Sequence, residues 1–305
     1  MNSPPVALTI AGSDSGGGAG VQADLTTFAA HGVHGASAVT AVTVQDTTGV
    51  HGIHLVPSDV VLAQIRAVLA DLRPAAVKTG MLGGAATTNA VAALACDGLL
   101  PCLVVDPVLV STSGHSLAGD GVTVAMREHL LPHATVVTPN TDEAAALLGA
   151  APAASLREQV DQARALLDLG CRTVVVTGGS FERPGGAGGP VRVDVVATPE
   201  GARTFTSPEV ATTNDHGTGC TFASAIAAGL AHGQPASAAV ETARAFVRTA
   251  LLDAAAWRIG SGRGPVSHVH PAPRTRTETA TQTPTQTPTQ TVTQTQTRPP
   301  RGENP

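Results

Sequence analysis

Short apolar runs alternate along the chain with longer stretches in which apolar residues recur every three or four positions. The runs rich in apolar and β-branched residues predict strands at residues 6–11, 36–44, 75–79, 103–105, 135–138 and 173–177. The helical spacing predicts helices at residues 19–31, 85–94, 156–169, 221–232 and 236–254, and another that Ser58 caps and that contains residues 61–72. Residues 191–197 and 204–206 are predicted to form a hairpin.

The strand runs do not alternate between polar and apolar positions, which indicates that both faces of each strand are buried. Buried strands joined by helices are typical of right-handed crossover connections. The sequence therefore predicts an α/β fold, a doubly wound, mostly parallel central sheet with helices on both faces. Ligands of such folds bind beyond the carboxyl ends of the strands. The segments that follow predicted strands are residues 12–20, 45–46, 78–81, 106–107, 138–143 and 177–180.

Composition separates a globular domain from a tail. The chain has 305 residues, 42% of them hydrophobic, which suffices for a sizeable core. Residues 272–305 are dominated by Thr, Gln, Pro and Arg, and such a segment buries too little apolar surface to offset its ordering entropy. We predict one domain at residues 1–271 and a disordered tail at 272–305, interpreted as an extension rather than an interaction motif. The Gly/Pro-rich residues 183–190 predict a mobile loop.

Charge and cysteine content exclude several classes of protein. With 18 Lys and Arg against 23 Asp and Glu, the formal net charge is -5, which argues against nucleic-acid binding. No apolar run is long enough to span a membrane, and the first residues lack the pattern of a secretory signal. The four cysteines are far apart in sequence, as is usual for free thiols in a reducing compartment. These features predict a cytoplasmic protein without nucleic-acid or membrane partners.

The segment DHGTGC at residues 215–220 precedes an alanine-rich helix and is a candidate anion site. Free N–H groups of Gly217, Thr218 and Gly219 at a helix start, aided by the helix dipole, can hold a transferring phosphoryl group. A thiol at the same place, Cys220, is expected to have a lowered pKa and can accept a proton from a substrate hydroxyl. The alternatives are an ordinary glycine-rich helix entry and a small core cysteine.

Three further sites can carry chemistry. Residues 140–143 (NTDE) follow a predicted strand and can hold Mg²⁺ through water and nucleotide phosphates, or can simply cap a helix through Asn140 or Thr141. Asp24, one turn inside a predicted helix, can reach a ligand above the sheet or be solvated. The glycine-rich residues 12–20 match neither a Walker A loop nor the GxGxxG fingerprint, which disfavours an NAD-linked dehydrogenase.

Taken together, the motifs resemble one enzyme family over the whole globular part. They are LTIAGSDSGGGAGVQADL (residues 8–25), AVTVQDTTGV (41–50), VKTGML (77–82), VVDPV (104–108), TPNTDEA (138–144), DHGTGCTFASAIAA (215–228) and GRGPVSH (262–268). The resemblance is to the hydroxymethylpyrimidine/phosphomethylpyrimidine kinases of thiamine biosynthesis, members of the ribokinase-like superfamily. Single motifs are shared with sugar and pyridoxal kinases, whereas AGSDSGGGAGVQAD combined with HGTGCT is more specific.

The resemblance implies a role for each motif. Gln45 would hydrogen-bond the aminopyrimidine through its amide donor and acceptor. Residues assigned to the substrate site are Gly20, Asp24, Gln45, Met81 and Val108, with Asp24 near the hydroxymethyl group. Residues assigned to Mg-ATP are Asn140, Glu143, Thr177 and Gly179, with Glu143 and Asp106 on the metal. Gly217, Thr218 and Gly219 would form the anion hole, and Cys220 would stand where sugar kinases have an aspartate base.

The activity implied by the resemblance is phosphorylation of 4-amino-5-hydroxymethyl-2-methylpyrimidine by Mg-ATP, and then of its monophosphate to the diphosphate. A homodimer is implied as well. The alternatives are a pyridoxal kinase and a catalytically silent ligand-binding relative. A loss of positive charge at Thr177 favours the silent relative, since many family members have Lys there.

The chain departs from the family pattern at a few positions. It has Asp46 where the family usually has Asn, Thr112 where Lys is frequent, and Asp215 where Thr is usual. Thr177 and Ser180 stand in VTGGS, where many relatives have VKGGH. Asp215 adds negative charge beside the predicted anion hole, and a carboxylate about 6 Å from a phosphate costs several tenths of a kcal/mol or more. The second phosphorylation is expected to suffer more than the first, because its product gathers more negative charge.

Overall fold

The computed structural model describes residues 3–109, 117, 119–181 and 191–268. The strands of this part of the chain are β1 (Val6–Ser13), β2 (His34–Asp46), β3 (Gly49–Leu55), β4 (Ala76–Thr79), β5 (Val104–Val105), β6 (Val136–Val137), β7 (Val174–Phe181), β8 (Val191–Thr198) and β9 (Gly201–Pro208). The α-helices are α1 (Gly20–Ala30), α2 (Ser58–Asp71), α3 (Ala85–Cys96), α4 (Val122–Ala125), α5 (Thr141–Leu148), α6 (Leu156–Leu167), α7 (Thr218–Ala231) and α8 (Ala236–Ala254). A π-helical turn, Met126–Leu130, and a 3-10 turn, Leu131–His133, continue α4.

All these strands belong to one sheet with the order β3-β2-β1-β4-β5-β6-β7-β8-β9. The strands from β2 to β7 in that order are parallel to their neighbours. Antiparallel strands extend both edges, with β3 beside β2 and the pair β8 and β9 beside β7. The predicted doubly wound, mostly parallel sheet is confirmed.

Adjacent residues of the central strands pack on opposite sides of the sheet, as buried strands require. Val77 of β4 lies in a hydrophobic core with Ile65 of α2 and Leu147 of α5. Its neighbour Ala76 lies in a second core with Phe28 of α1. The first core takes side chains from α2 to α6, and the second from α1, α7 and α8, so the sheet lies between two helical layers. This double burial explains the near-continuous apolar strand runs in the sequence.

The structure differs from the sequence-based prediction at several boundaries. The expectation that Ser58 caps α2 is wrong, because Pro57 occupies the N-cap in an extended conformation and no side chain caps this end. Helix α7 begins three residues earlier than predicted, at Thr218. Strand β3 was not predicted as a regular element, and its sequence GVHGIHL repeats glycine and histidine every third residue. Helix α5 was anticipated only through the capping alternative for Asn140 or Thr141, and it spans 8 residues.

Three predictions fall outside the described residues. They concern the tail at residues 272–305, the loop at residues 183–190 and the substitution at Thr112. Within the described part of the chain, no helix combines the length and the apolar character that crossing a membrane requires.

Candidate active site

A cavity of about 860 Å³ opens where the parallel strands end. Most of the predicted site residues line it, namely Gly20, Gln45, Met81, Asp106, Val108, Asn140, Glu143, Thr177, Gly217, Thr218, Gly219 and Cys220. These residues follow strands or begin helices, so the sheet brings together segments far apart in sequence. Asp24 and Gly179 are not among the lining residues.

The start of α7 forms one wall of the cavity. Gly217 occupies the N-cap with a φ of 83°, a conformation that favours glycine. A side chain there would also overlap the carbonyl oxygen of Gly18, so the two glycine-rich segments are in backbone contact. Thr218 donates its hydroxyl to the carbonyl of Asp215 at 2.6 Å. The prediction of a free N–H group at Thr218 is corrected, because this N–H donates to the Asp215 carbonyl at 3.2 Å. The N–H groups of Gly219 and Cys220 have no intrahelical acceptor, and together with the dipole they favour an anion at this point.

Gln45, near the end of β2, lines the cavity beside the residue that precedes the α7 glycines. Its amide lies 3.2 Å from the imidazole of His216, measured between Gln45 Nε2 and His216 Nε2. His216 directly precedes the glycines of α7. The side chain of Gln45 and the amides of α7 therefore meet in one cavity, large enough for a small ring and the end of a nucleotide.

The prediction that Asp24 contacts a ligand is corrected by the structure. Asp24 is fully buried beneath the cavity, and it is not solvated either. Its carboxylate accepts hydrogen bonds from Thr9 Oγ1 at 2.5 Å and Ser224 Oγ at 2.6 Å, and it pairs with Lys78 Nζ at 2.9 Å. Lys78 lies in the buried strand β4 and needs a counter-charge, because buried ammonium groups are tolerated only when paired. Asp24 supplies it.

The positive charge of Lys78 is held by carboxylates on two sides. Besides Asp24, the Asp106 Oδ2 atom lies 3.7 Å from Lys78 Nζ. Burial by itself disfavours the ammonium, but the attraction of Asp24 and Asp106 outweighs it and raises the pKa of Lys78. Lys78 is therefore a permanent cation under the floor of the cavity.

The expectation of a lowered pKa for Cys220 is wrong. Burial raises the pKa of the Cys220 thiol to about 12, even though Lys78 acts in the opposite direction. Desolvation of the thiolate therefore outweighs the attraction of the Lys78 cation, and the negative charges of Asp106 and Asp24 act in the same direction as burial. Cys220 lines the cavity as a protonated thiol at neutral pH.

Asn140 and Glu143 cap α5 in the way that the alternative interpretation anticipated. Asn140 Oδ1 accepts from the Glu143 N–H at 2.8 Å, and Glu143 Oε2 accepts from the Asn140 N–H at 2.9 Å, which is a capping box. Both residues also line the cavity. Burial raises the pKa of Glu143 to about 8, and the negative charge of Asp106 adds to the effect.

The residues around Asp106 fit a divalent cation bound together with a nucleotide. Asp106 Oδ2 is buried and has no hydrogen-bond partner among the described residues, and Glu143 repels it. A cation relieves both the repulsion and the unmade bond. Within the described residues, no group of three or more His, Cys, Asp or Glu side chains is arranged to hold a metal alone. Mg²⁺ commonly needs only one or two carboxylates, because phosphates and water complete its shell.

The predicted nucleotide residues of β7 divide between two environments. Thr177 lines the cavity, and its N–H donates to the carbonyl of Pro139 at 2.9 Å. Gly179 is buried in the ladder between β7 and β8, where it pairs with Val193. The expectation that Gly179 contacts a cofactor is therefore corrected, since its neighbour Gly178 is the one that lines the cavity.

Two departures from the family pattern have local partners. Asp215 forms an ion pair with Arg263, with 2.9 Å between Arg263 Nε and Asp215 Oδ1 and a closer contact from the second nitrogen. The guanidinium offsets the negative charge that Asp215 adds beside the anion hole. Asp46 Oδ1 accepts from the Thr48 N–H at 2.7 Å and so closes the turn between β2 and β3.

Sequence analysis assigned no role to Lys78, to Arg263, or to His216 and Asp14, which lie 2.9 Å apart between His216 Nε2 and Asp14 Oδ2. A signal existed for Lys78, because a charged residue between Val77 and a buried Thr predicts a buried partner. None existed for the other three, because their partners are brought together only by the fold.

Solved structures with this fold include small-molecule kinases that bind nucleotides. An ADP complex of Bacillus subtilis pyridoxal kinase superposes with a TM-score of 0.78 at 33% identity, covering 87% of this chain and 98% of that one. Phosphomethylpyrimidine kinase from Clostridium difficile superposes with a TM-score of 0.70 at 32% identity, covering 81% of this chain and 99% of that one. The fold and the amide-lined cavity place the chain among kinases of this class.

Sequence comparison then defines the family. The model of the phosphomethylpyrimidine kinase family matches residues 14–267. The hydroxymethylpyrimidine/phosphomethylpyrimidine kinase of Rhizobium meliloti is 46% identical over 268 residues, which are 87% of this chain and 97% of that protein. The chain belongs to the phosphomethylpyrimidine kinase family.

Proposed function

We propose that the protein transfers the γ-phosphoryl group of Mg-ATP to the hydroxymethyl group of 4-amino-5-hydroxymethyl-2-methylpyrimidine, and then phosphorylates the monophosphate to the diphosphate. The observation that carries the proposal is the meeting of Gln45 with the first turn of α7 in one cavity. Family membership supports the choice of substrate.

The ring site lies on the β2 side of the cavity. Gln45 hydrogen-bonds the ring, Met81 and Val108 cover its apolar surface, and Gly20 approaches it through the backbone. These positions direct the hydroxymethyl group toward α7. Holding the alcohol and the phosphoryl group in line supplies much of the rate enhancement in reactions of this type.

The transferring phosphoryl group lies against α7. The N–H groups of Gly217, Gly219 and Cys220 stabilise the charge on its oxygens, and they are already oriented before the substrate arrives. The Thr218 N–H is bonded to the Asp215 carbonyl and helps to fix this turn. Thr177 and Asn140 contact the nucleotide. Asp106 and Glu143 would hold Mg²⁺, which would supply positive charge to the phosphates.

Cys220 acts as a protonated thiol at the reacting oxygen and not as a resting thiolate. A thiol whose pKa is about 12 is almost never ionised at neutral pH. A loose phosphoryl-transfer transition state needs no strong base. The hydroxyl proton leaves late and passes to a non-bridging oxygen of the transferred phosphoryl group. Positioning and charge stabilisation therefore dominate, with Cys220 contributing little to the rate.

The second phosphorylation is supported by the ion pair between Asp215 and Arg263. With its charge offset, Asp215 repels the additional phosphate less than an unpaired carboxylate does. We therefore propose that both steps are retained, with the monophosphate turned over more slowly than the alcohol.

A pyridoxal kinase activity is the second candidate, because the Bacillus subtilis pyridoxal kinase superposes closely on this chain. The two substrates share a hydroxymethyl group on an aromatic nitrogen ring. Competition between pyridoxal and the pyrimidine alcohol separates the activities, and the pyrimidine is expected to give the higher kcat/KM.

We also propose that the kinase domain spans residues 1–271, that the tail at 272–305 is dispensable for activity, and that the protein is a cytoplasmic homodimer. An exposed apolar face supports the dimer. Val42 and Val44 of β2 are 50% and 63% exposed, on the side of the strand that faces away from the cavity. Light scattering should give twice the chain mass, and Val44→Glu should reduce it to that of a monomer.

The activity is tested by measuring ATP consumption by the purified protein with the pyrimidine alcohol. Gly219→Ala adds a methyl group at the anion hole, where the nearest atom outside neighbouring residues is 3.9 Å away. It should fold normally and lose at least about tenfold in kcat. Gly84→Ala, at the start of α3 outside the cavity, is the matched control, with its nearest such atom at 4.0 Å. Wild-type protein that consumes no ATP above background would refute the proposal.

A further inference from the structure

Three polar side chains from distant parts of the sequence meet at the ring side of the cavity. Asp14 follows β1, Gln45 is the next-to-last residue of β2, and His216 lies two residues before α7. His216 Nε2 lies 2.9 Å from Asp14 Oδ2 and 3.2 Å from Gln45 Nε2. The same imidazole nitrogen therefore serves two neighbours, and the hydrogen it carries decides how both are bonded.

Asp14 is an ionised acceptor. Its carboxylate accepts the backbone N–H groups of Gly16 at 2.8 Å, Gly18 at 3.1 Å and Ala19 at 2.9 Å. Burial alone raises the pKa of Asp14, but the hydrogen bonds from His216 and from the loop backbone outweigh it and leave the pKa below its usual value. An ionised carboxylate has no hydrogen to donate.

It follows that His216 Nε2 carries a hydrogen and donates it to Asp14. A protonated Nε2 has no lone pair for the Gln45 NH₂ group, so two donors would face each other at 3.2 Å. The oxygen and nitrogen of a glutamine amide are nearly identical in shape, and the hydrogen-bond network decides between the two orientations. The consistent orientation places Gln45 Oε1 on His216, where it shares the single Nε2 hydrogen with Asp14 Oδ2.

We propose that Asp14 and His216 are positioning residues that hold the Gln45 amide with its oxygen on the imidazole and its NH₂ group toward the cavity. The site then selects a ring that presents a nitrogen lone pair to this NH₂ group. The inference rests on the proposed function for the identity of the ring. It adds which ring atom accepts the hydrogen bond from Gln45, and it names two residues that do not touch the ring but orient the Gln45 amide.

The backbone of Gln45 is fixed independently of this pair. Ser15 Oγ donates to the Gln45 carbonyl at 2.7 Å and accepts from the Gln45 N–H at 2.8 Å. Only the side-chain torsions of Gln45 remain to be set. A change at His216 should therefore release the amide while leaving strand β2 in place.

The test compares two substrates across three proteins. The substrates are the pyrimidine alcohol and its analogue in which the ring nitrogen beside the amino-bearing carbon is replaced by C–H. The proteins are the wild type, His216→Leu and His216→Gln. Gln at 216 can place an amide NH₂ group near the position of the imidazole Nε2, so it is the conservative variant.

Wild-type protein should show a KM about tenfold lower for the nitrogen ring, the effect of one hydrogen bond. His216→Leu should bring the two KM values within about threefold of each other, with kcat changed less than KM, because the freed amide can present either atom. His216→Gln should restore most of the discrimination. A merely structural role for His216 would instead weaken both rings equally.

Three results would overturn the inference: equal KM values in the wild type, discrimination that survives in His216→Leu, or discrimination that His216→Gln fails to restore. A wild type without turnover would count against the proposed function, and calorimetric binding of the two rings would then test the inference in its place. If His216→Leu does not fold, ¹⁵N-glutamine NMR of the wild type decides. The Gln45 NH₂ signals should shift with the nitrogen ring and not with its C–H analogue, and equal shifts would contradict the inference.

Discussion

Lys78 is the residue whose replacement tests the charge network beneath the cavity most directly. It is fully buried, and its Nζ atom lies 2.9 Å and 3.0 Å from the two oxygens of Asp24. Lys78→Met keeps the length and apolar stem of the side chain but leaves Asp24 as a buried carboxylate without a cation. Removing one partner of a buried ion pair costs about 3–5 kcal/mol. Thr9 and Ser224 still donate to Asp24, so the lower part of that range is expected.

Urea unfolding followed by circular dichroism measures the change in the free energy of unfolding, and the midpoint should fall without a change in slope. The double variant Lys78→Met, Asp24→Asn removes both charges of the pair. Thr9 and Ser224 donate to different oxygens of Asp24, so the amide keeps an acceptor for one hydroxyl, and the other hydroxyl can accept from the amide NH₂ group. The double variant should recover at least half of the loss. If the free energy of unfolding of Lys78→Met lies within about 1 kcal/mol of the wild-type value, the ion pair does not stabilise the fold and the prediction is wrong.

Other predictions concern the wall of the cavity. Burial raises the pKa of Glu143 from 4.5 to about 8, so the folded state binds a proton more tightly and stability falls as pH rises between these values. In urea unfolding, the free energy of unfolding of Glu143→Gln should equal that of the wild type near pH 5 and exceed it near pH 9 by on the order of a few kcal/mol. An equal difference between the two proteins at both pH values would contradict this prediction. Because the Cys220 thiol is protonated, iodoacetamide should label the exposed Cys102 at least about tenfold faster than Cys220 at pH 8. Mass spectrometry measures both rates, and equal rates would show that Cys220 is a thiolate. Arg263→Ala should lower kcat/KM for the monophosphate about threefold, because the charge of Asp215 is no longer offset. Adding Asp215→Thr to this variant should restore kcat/KM. An unchanged kcat/KM in Arg263→Ala alone would argue against the charge offset.

Periodicity predicted the architecture because burial on both faces leaves a clear mark on a sequence. The runs around Val77 and Val105 are apolar because both faces of these strands are buried, and a stretch of a few residues is enough to show this. Helix α8 was predicted at its observed bounds. Strand β3 left no such mark, since an edge strand paired on one side tolerates glycine and histidine.

The motifs predicted most of the cavity wall but not the environments of its residues. Asp24 was expected at the ligand because its distance from the glycine-rich loop is short in sequence, whereas its partner Lys78 is 54 residues away. The pKa of Cys220 was predicted in the wrong direction for a similar reason. A helix start is visible in a sequence, but the depth of burial that raises the pKa of the thiol is a property of the assembled protein.

The contacts that close the cavity join the two ends of the domain. Asp14 and His216 are separated by 202 residues, Asp24 and Ser224 by 200, and Thr47 and Gly262 by 215. During synthesis the parallel strands can pair while the last helices are still unmade, yet the ring side and the phosphate side of the cavity remain apart until α7 and the residues after α8 have left the ribosome. Catalytic competence is thus acquired late, and a chain cut short within its final helices would retain much of the sheet without ever being able to act on a substrate.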